Sequence, residues 1–482
     1  MEEQSKKSQH AEREEKILKF WQENKIFEKT LAKKAPKGDF VFYEGPPTAN
    51  GKPGVHHIAA RVFKDAIPRY KTMCGHHVRR KAGWDTHGLA VEIEVEKRLG
   101  LKSKKEIENL GVKEFNKKCK ESVLEYIDLW KQFSERMGFW TDYNDAYFTF
   151  DNNYIESLWN IVGKIDDKNL LYKDYKVLPW CARCGTALSS HELAQGYENV
   201  KDLSVTVKLK INSMPEGFVE VLGSARLPGW QRPQPDAQKS SGHSVFFLAW
   251  TTTPWTLPGN IALAAGEDID YVLAKVNDEI LILAEARLSI LPEGYEILKK
   301  VKGKELVGLS YEPLYTFLKP NEKSYKVYLA DFVTTNEGTG IVHTAVMYGQ
   351  DDFALGTKVG LPKYHLVKED GTFKEECGFL AGRHVKTEET DVEIIKDLAH
   401  RGLLFKKEKH EHSYPHCWRC KTPLIYYARD SWYIAMSKLR DTLVKENEKI
   451  NWEPSYIREG RFGEWLREIK DWAISRERYW GT

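Results

Sequence analysis

Two C-x-x-C pairs constrain this chain more than any other feature: Cys181 and Cys184 in "WCARCG", and Cys417 and Cys420 in "HCWRC". One such pair is ambiguous. Two make a tetrahedral zinc site with four thiolate ligands, Zn–S near ~2.3 Å, the leading reading. That site would tie together points 236 residues apart (417 minus 181). The alternatives are two separate metal knuckles completed by His416 or His412, or simple reduced thiols. With Cys74, Cys119 and Cys377 the chain has seven cysteines. An odd number, partly arranged as C-x-x-C, suits metal binding in a reducing compartment better than a disulfide framework.

The pairs flank a block of β-rich segments, "LSVTVKLKI", "SVFFLAWTT", "YVLAKV" and "EILILAEA", running from about residue 200 to about 390. Before it the texture is that of an α/β domain. Residues 11–33 carry Ile17, Phe20, Trp21, Ile26 and Phe27 at helical spacing and predict an amphipathic helix. "DFVFYEG" predicts a strand, "HHIAARVFKDAIPRYKTM" a helix kinked by Pro68, and "HHVRRKAGWDTHG" a second strand. This is a βαβ unit opening a parallel sheet. Residues 103–175 read as mostly helical, and helical, aromatic patterning returns in "YYARDSWYIAMSKLRDTLVKENEKI" and "FGEWLREIKDWAISRERYW". The expected fold class is α/β, a Rossmann-type parallel sheet interrupted by a β-rich insertion. Its expected divisions are 1–195, with the N-terminal helix, the start of the α/β domain and the first cysteine pair, then 196–395, the insertion, and 396–482, with the second pair and the return to the first domain. The stretch 223–243, rich in Pro, Gly and Ser, reads as a surface loop.

In a parallel sheet the ligand sits beyond the C-terminal ends of the strands. Two loops fall there, residues 43–51 and 83–88. "GPPTANGKPGVHH" is a Gly/Pro loop opening a helix, which is either an ordinary turn or a phosphate cradle with imidazole donors at a helix N-terminus. It lacks the lysine of a P-loop. "AGWDTHGL" brings Asp85 and His87, and Asp85 is either a helix N-cap or the partner of a substrate ammonium. In the insertion, "WTTTPWTLPGN" and "GTGIVHTAVMYGQDD" either reflect β-propensity alone or line a polar pocket in which hydroxyls position a water and an aspartate binds an amine.

Lys and Arg total 73 against 70 acidic residues, net +3, so nucleic-acid contact must come from local patches. The N-terminus lacks the apolar core of a signal peptide, and no run approaches the ~18 apolar residues of a membrane span, so a cytoplasmic protein without membrane association is expected.

Taken together, "FYEGPPTANGKP", "RYKTMCGHHVRRKAGWDTHGLAVEIEVEKRLG", "LPWCARCGTALSSHE", "WTTTPWTLPGN", "GTGIVHTA", "HCWRC" and "DWAISRERYWGT" resemble the N-terminal portion of a class I isoleucyl-tRNA synthetase. The valyl enzyme is the nearest alternative, and a free-standing tRNA-editing hydrolase a further one. The resemblance implies a Rossmann catalytic domain interrupted by an editing domain, activation of isoleucine by ATP with magnesium, transfer to tRNA(Ile), hydrolysis of valyl-tRNA(Ile), and a monomer. It places Gly45, Pro46 and Asp85 at the amino acid, Asn50, Gly51 and His57 at ATP, and His56, His57 and Gly54 in the catalytic loop. It places Thr251, Thr252, Thr253, Asn260, His343 and Asp352 in the editing pocket, and zinc on Cys181, Cys184, Cys417 and Cys420.

The chain departs from the family in three ways. The family's His-x-Gly-His appears as "GVHH", with Gly54 at the first histidine position, His56 at the glycine and His57 at the second histidine. The loop is therefore expected to take another path, with Gly54 at positive φ making the close approach to the nucleotide and His56 turned toward the phosphates. Ala90 and Val346 stand where prolines are expected. The sequence ends at "RYWGT", before the Lys-Met-Ser-Lys-Ser loop and the anticodon-binding region, so no aminoacylation is expected of these 482 residues alone. "AMSKL" at 435–439 reads as ordinary helix.

Overall fold

The N-terminal amphipathic pattern folds as two helices rather than one, α1 (Gln9–Glu23) and α2 (Ile26–Ala32), because Lys25 adopts a left-handed conformation between them. Their aromatic side pairs Trp21 and Phe27 with Trp140 at ring separations of 5.1 and 6.0 Å. The computed structural model describes residues 7–212 and 244–481, and the stretch 223–243 expected to be a surface loop lies outside them. These residues form two compact units, 1–170 with 477–482, and 171–476. The boundaries expected at 195/196 and 395/396 fall inside the second.

In the first unit α3 (His56–Met73) contains Pro68 and is followed by β1 (Lys81–Trp84). Then come α4 (Leu89–Leu99), α5 (Lys104–Leu110), α6 (Val112–Met137), β2 (Asp142–Phe148) and α7 (Asn152–Asp167). β1 and β2 pair in parallel, the relation expected of an α/β sheet. The run "DFVFYEG" forms no continuous strand. It meets the β1 region through the parallel bridge Asp39–His77, a second bridge, Thr48–Asp85, comes after the run, and Val41 and Tyr43 between them are exposed, without the two-sided burial that sustains an interior strand. The unit's core is Trp84, Val91, Val95 and Ile107 against Phe115, Val123, Ile127 and Trp130, the inner face of α6.

The second unit begins with β3 (Leu171–Cys181), β4 (Thr186–Ala187), α8 (Ser190–Ala194), β5 (Tyr197–Lys210) and β6 (Ser244–Thr251). β7 (Ala262–Ala265), β8 (Asp270–Val276), β9 (Glu279–Ala284), β10 (Glu296–Lys302), β11 (Val327–Leu329) and β12 (Ile341–Thr344) follow. The unit closes with α9 (Gln350–Val359), α10 (Glu388–His400), β13 (Leu404–Pro415), β14 (Ile425–Ile434), α11 (Arg440–Asn447), α12 (Arg461–Arg467) and β15 (Trp472–Ala473). A six-stranded sheet, β10-β8-β9-β6-β5-β13, is antiparallel except for the β6–β9 pair. A three-stranded sheet, β11-β7-β12, packs with it around one apolar core that includes Val205, Val207, Leu209, Phe247, Leu263 and Ile282.

The fourth sheet, β15-β14-β3-β4, corrects the sequence reading twice. Residues 171–175 and 425–434, expected to be helical, are strands, paired antiparallel with Ile425 opposite Trp180 and Ile434 opposite Leu171. "IYYARDSWYI" is rich in Tyr and Trp and carries no 3.6-residue apolar stripe, which fits a pleated surface. "AMSKL" is helical as expected, a 3-10 turn (Met436–Leu439) leading into α11.

Candidate functional site

In the first unit the two loops meet. Ala49 N–H donates to Asp85 O (2.9 Å), Asp85 N–H to Pro47 O (3.1 Å), and Thr48 Oγ1 to the Asp85 carboxylate (2.7 Å). Asp85 caps no helix, since the N-cap of α4 is Gly88 at φ +88°. Its half-buried carboxylate retains acceptor capacity beyond the Thr48 bond. His87 bonds Thr149 Oγ1 at 2.8 Å, and burial lowers its pKa. Gly45 is exposed, and a Cβ there or at Gly51 would touch nothing within 4 Å. Pro46, Asn50 and Gly51 are half-buried, and Trp130 Nε1 holds the loop by donating to Gly51 O (3.1 Å).

The path of "KPGVHH" differs from expectation. Gly54 has no positive φ; what its position requires is space, since a Cβ would lie 2.7 Å from His56 Cε1. The two imidazoles stack at a centroid distance of 3.8 Å at the start of α3, and His57 also packs edge-on against Trp130 at 4.6 Å. His57 Nδ1 lies 2.8 Å from Gly54 N and 3.2 Å from Gly54 O, so the Gly54 backbone fixes the ring. Burial and the neighbouring His56 lower its pKa, which favours the neutral ring.

The second unit holds a denser polar cluster. A 3-10 turn (Pro254–Gly259) follows β6 and is wholly buried. Thr251 Oγ1 lies 3.2 Å from Thr253 Oγ1, which lies 3.3 Å from Thr256 Oγ1, itself 2.9 Å from His343 Nε2 on β12. The Thr256 hydroxyl donates to Thr253 O (2.8 Å), so it accepts from His343 Nε2–H. That leaves His343 Nδ1 as a buried bare acceptor with no partner among the described residues. Burial brings the pKa of His343 down to about 4, so the ring is neutral. Thr252 is half-buried beside its neighbours. Asn260 is used internally, donating to Ala262 O (3.0 Å) and accepting from Tyr311 OH (2.7 Å).

Asp352, in the first turn of α9, accepts the Ala345 N–H at 2.9 Å, two residues beyond His343. It keeps some accessible surface, yet burial of the carboxyl raises its pKa to about 6. Above that pH it is a carboxylate with one strong donor and a largely dry surround.

Pairing of β3 with β14 brings the two C-x-x-C turns together. The sulfurs of Cys181, Cys184, Cys417 and Cys420 all lie within 4.8 Å of one another, with Cys181 and Cys420 3.5 Å apart. Tetrahedral Zn–S bonds of ~2.3 Å put sulfurs about 3.8 Å apart, so this donor set fits such an ion. Thiol hydrogen bonds from Cys181 hold Cys417 down to about 7 and Cys420 lower still, leaving thiolate character in the cluster. The separate-knuckle alternative fails on geometry: His412 faces Asp202 at 3.2 Å and His416 the Tyr414 carbonyl at 3.1 Å. Gly196 lets β5 start against this turn, since a Cβ there would lie 1.9 Å from His416 O.

Residues 16–482 match the family described as tRNA synthetases class I (I, L, M and V). The chain belongs to that family. It is 48% identical over 97% of its length to the isoleucine–tRNA ligase of Clostridium tetani, and equally so to that of Clostridium acetobutylicum. It is 47% identical over 98% of its length to isoleucine–tRNA ligase 2 of Bacillus cereus. It spans 42 to 43% of the length of these relatives.

In this class I synthetase chain, several residues that shape the sites were not singled out in the sequence. Glu92 on α4 accepts Arg478 Nη1 and the N–H groups of Tyr479 and Trp480, each at 2.8 Å, and so docks "RYW" beside the Asp85 loop. Trp480 completes that contact, donating through Nε1 to Thr86 O and accepting from Gly88 N–H, both at 2.7 Å. Thr149 fixes His87, and Thr256 fixes His343. A carboxylate at the fourth position of a helix carries no local signal of such a partner; Glu92 and Arg478 are 386 residues apart.

Proposed function

We propose that this chain contributes part of the activation site and the whole hydrolytic pocket of an isoleucyl-tRNA synthetase. Isoleucine, ATP with magnesium and tRNA(Ile) are the substrates of the complete reaction. The carboxylate of isoleucine attacks the α-phosphate of ATP, giving the adenylate and pyrophosphate, and a terminal ribose hydroxyl of the tRNA then displaces AMP. Asp85 pairs with the α-ammonium. Gly45 and Pro46 flank it, Asn50 and Gly51 line the nucleotide, and His56 and His57 donate to the phosphates at the α3 N-terminus. Zinc on the four cysteines acts as a clamp at the root of the insertion, and within the second unit residues 196–395 make the hydrolytic body.

One methylene distinguishes isoleucine from valine, worth only ~1–3 kcal/mol in a pocket, which is why a second, hydrolytic sieve is needed; this enzyme class is the standard illustration of that limit. In hydrolysis, water adds to the ester carbonyl of valyl-tRNA(Ile), the C–O bond to the ribose breaks, and the ribose oxygen takes a proton. A neutral imidazole with pKa about 4 is too weak a base to take the water proton fully, so His343 Nδ1 orients the water or a ribose hydroxyl as an acceptor. The threonine hydroxyls hold that geometry, and Asp352 pairs with the ammonium of the misattached residue. The observation that carries the reading is the unbroken chain Thr251–Thr253–Thr256–His343 ending in a bare nitrogen.

The test is hydrolysis of valyl-tRNA(Ile) against pH. The rate is expected to fall below about pH 6 as Asp352 protonates and loses its charge. Asp352→Asn is expected to lower the rate about tenfold or more and to remove that acidic limb. Unchanged hydrolysis by the asparagine variant, with the same pH dependence, would sink the assignment.

A further inference from the structure

Asp391 belongs to none of the motifs above, yet it touches the threonine turn. It lies in the first turns of α10, and its Oδ1 accepts the Trp255 N–H at 3.2 Å. Trp255 is the second residue of the 3-10 turn (Pro254–Gly259), whose first residue, Pro254, has no N–H to give. The opening donors of such a turn lack partners within it, and Thr253, the N-cap, supplies no side-chain cap. Asp391 therefore caps the turn from another element. The next residue, Thr256, spends its hydroxyl on Thr253 O and on His343.

Lys386 stands beside this contact. Its side chain is buried, its Nζ lies 3.9 Å from Asp202 Oδ2 and 4.0 Å from the Tyr414 ring centroid, and it attracts both Asp202 and Asp391. His412 Nε2 lies 3.2 Å from the same Asp202 oxygen. Burial raises the pKa of Asp391 to about 7, with Lys386 opposing the rise and Asp202 and Glu388 adding to it. Asp391 thus gives one carboxylate oxygen to an amide of the threonine turn while Lys386 draws its charge.

The geometry points to Asp391 as a positioning residue for the hydrolytic pocket: by capping the 3-10 turn through Trp255 N–H it keeps Thr253 and Thr256 aligned with His343. This rests on the editing reading given above. It acts through the turn and touches no substrate, so its loss lowers turnover while leaving substrate affinity in place.

The experiment compares Asp391→Ala and Asp391→Asn in the full 482-residue chain. Single-turnover hydrolysis of valyl-tRNA(Ile) is read together with amide exchange at Trp255 and Thr256. Asp391→Ala is expected to lower the hydrolysis rate about tenfold or more with KM within about twofold, and to speed exchange at Trp255 by about tenfold or more. Asparagine keeps an acceptor oxygen and is expected to recover both to within about threefold. An unchanged rate or unchanged Trp255 exchange in the alanine variant overturns the inference. Should that variant fail to fold, the asparagine variant decides: retained Trp255 protection and turnover support the cap, and lost Trp255 protection in an otherwise folded chain overturns it. If the unmutated chain hydrolyses nothing, the editing reading fails, while Trp255 exchange still decides whether Asp391 holds the turn.

Discussion

The glycine-rich loop of the first unit and the threonine turn of the second are the two regions proposed to meet polar ligands, and they are built in opposite ways. The loop of residues 45–57 is exposed or half-buried over most of its length and is held by a few contacts, chiefly Trp130 to Gly51 and Thr48 to Asp85. The turn at 254–259 is wholly buried, and Thr256 links it to Thr253 and to His343 on β12 in one connected network. Binding a large charged nucleotide requires open donors and room. Orienting a single water requires groups already fixed, because only preorganised dipoles add to the rate without reorganising during reaction.

The largest effect is expected from replacing Cys417 and Cys420 together by serine. Metal analysis is expected to find one zinc per chain before and none after, and loss of a structural zinc removes binding free energy on the order of 10 kcal/mol, enough to collapse the root of the β-rich unit. A variant that keeps its metal and its melting temperature would break the account of how the rigid pocket is anchored. A smaller loss, about 3–5 kcal/mol in urea unfolding, is expected for Glu92→Ala, which takes the carboxylate away from Arg478 and from two backbone donors in a buried setting. That change addresses the best-anchored contact near the open site. The smallest effect is expected from exchanging Gly54→His with His56→Gly. With ordinary φ at residue 54 and the obstructing His56 ring removed, the cost to stability is expected to stay below about 1 kcal/mol. A larger loss would show that the stacked imidazoles fix the loop path.

Much of this was legible in the sequence. The α/β class, the β-rich insertion and the joining of the two cysteine pairs follow from local texture and spacing. The strand at 425–434 did not, because a two-residue alternation of Tyr, Arg, Ser and Trp shows its inner face only once Leu171–Cys181 lies alongside. Gly54 was assigned a conformational role, and the structure shows a steric one. The resemblance puts Asn260 in the pocket, and the sequence gives no sign of the bonds its amide makes to Ala262 and Tyr311. Glu92 and Asp391 were silent, since each acts through a partner more than a hundred residues away.

The most direct measurement is residue-resolved amide exchange across both regions in the same sample. Amides of Trp255, Thr256 and Asn260 are expected to exchange at least about a hundredfold more slowly than those of residues 45–54, and addition of ATP and isoleucine to slow only the latter. Equal protection in the two regions, or a threonine turn that becomes protected only when ligand is added, would contradict the claim that the proposed hydrolytic pocket is built in advance while the proposed nucleotide loop is left open.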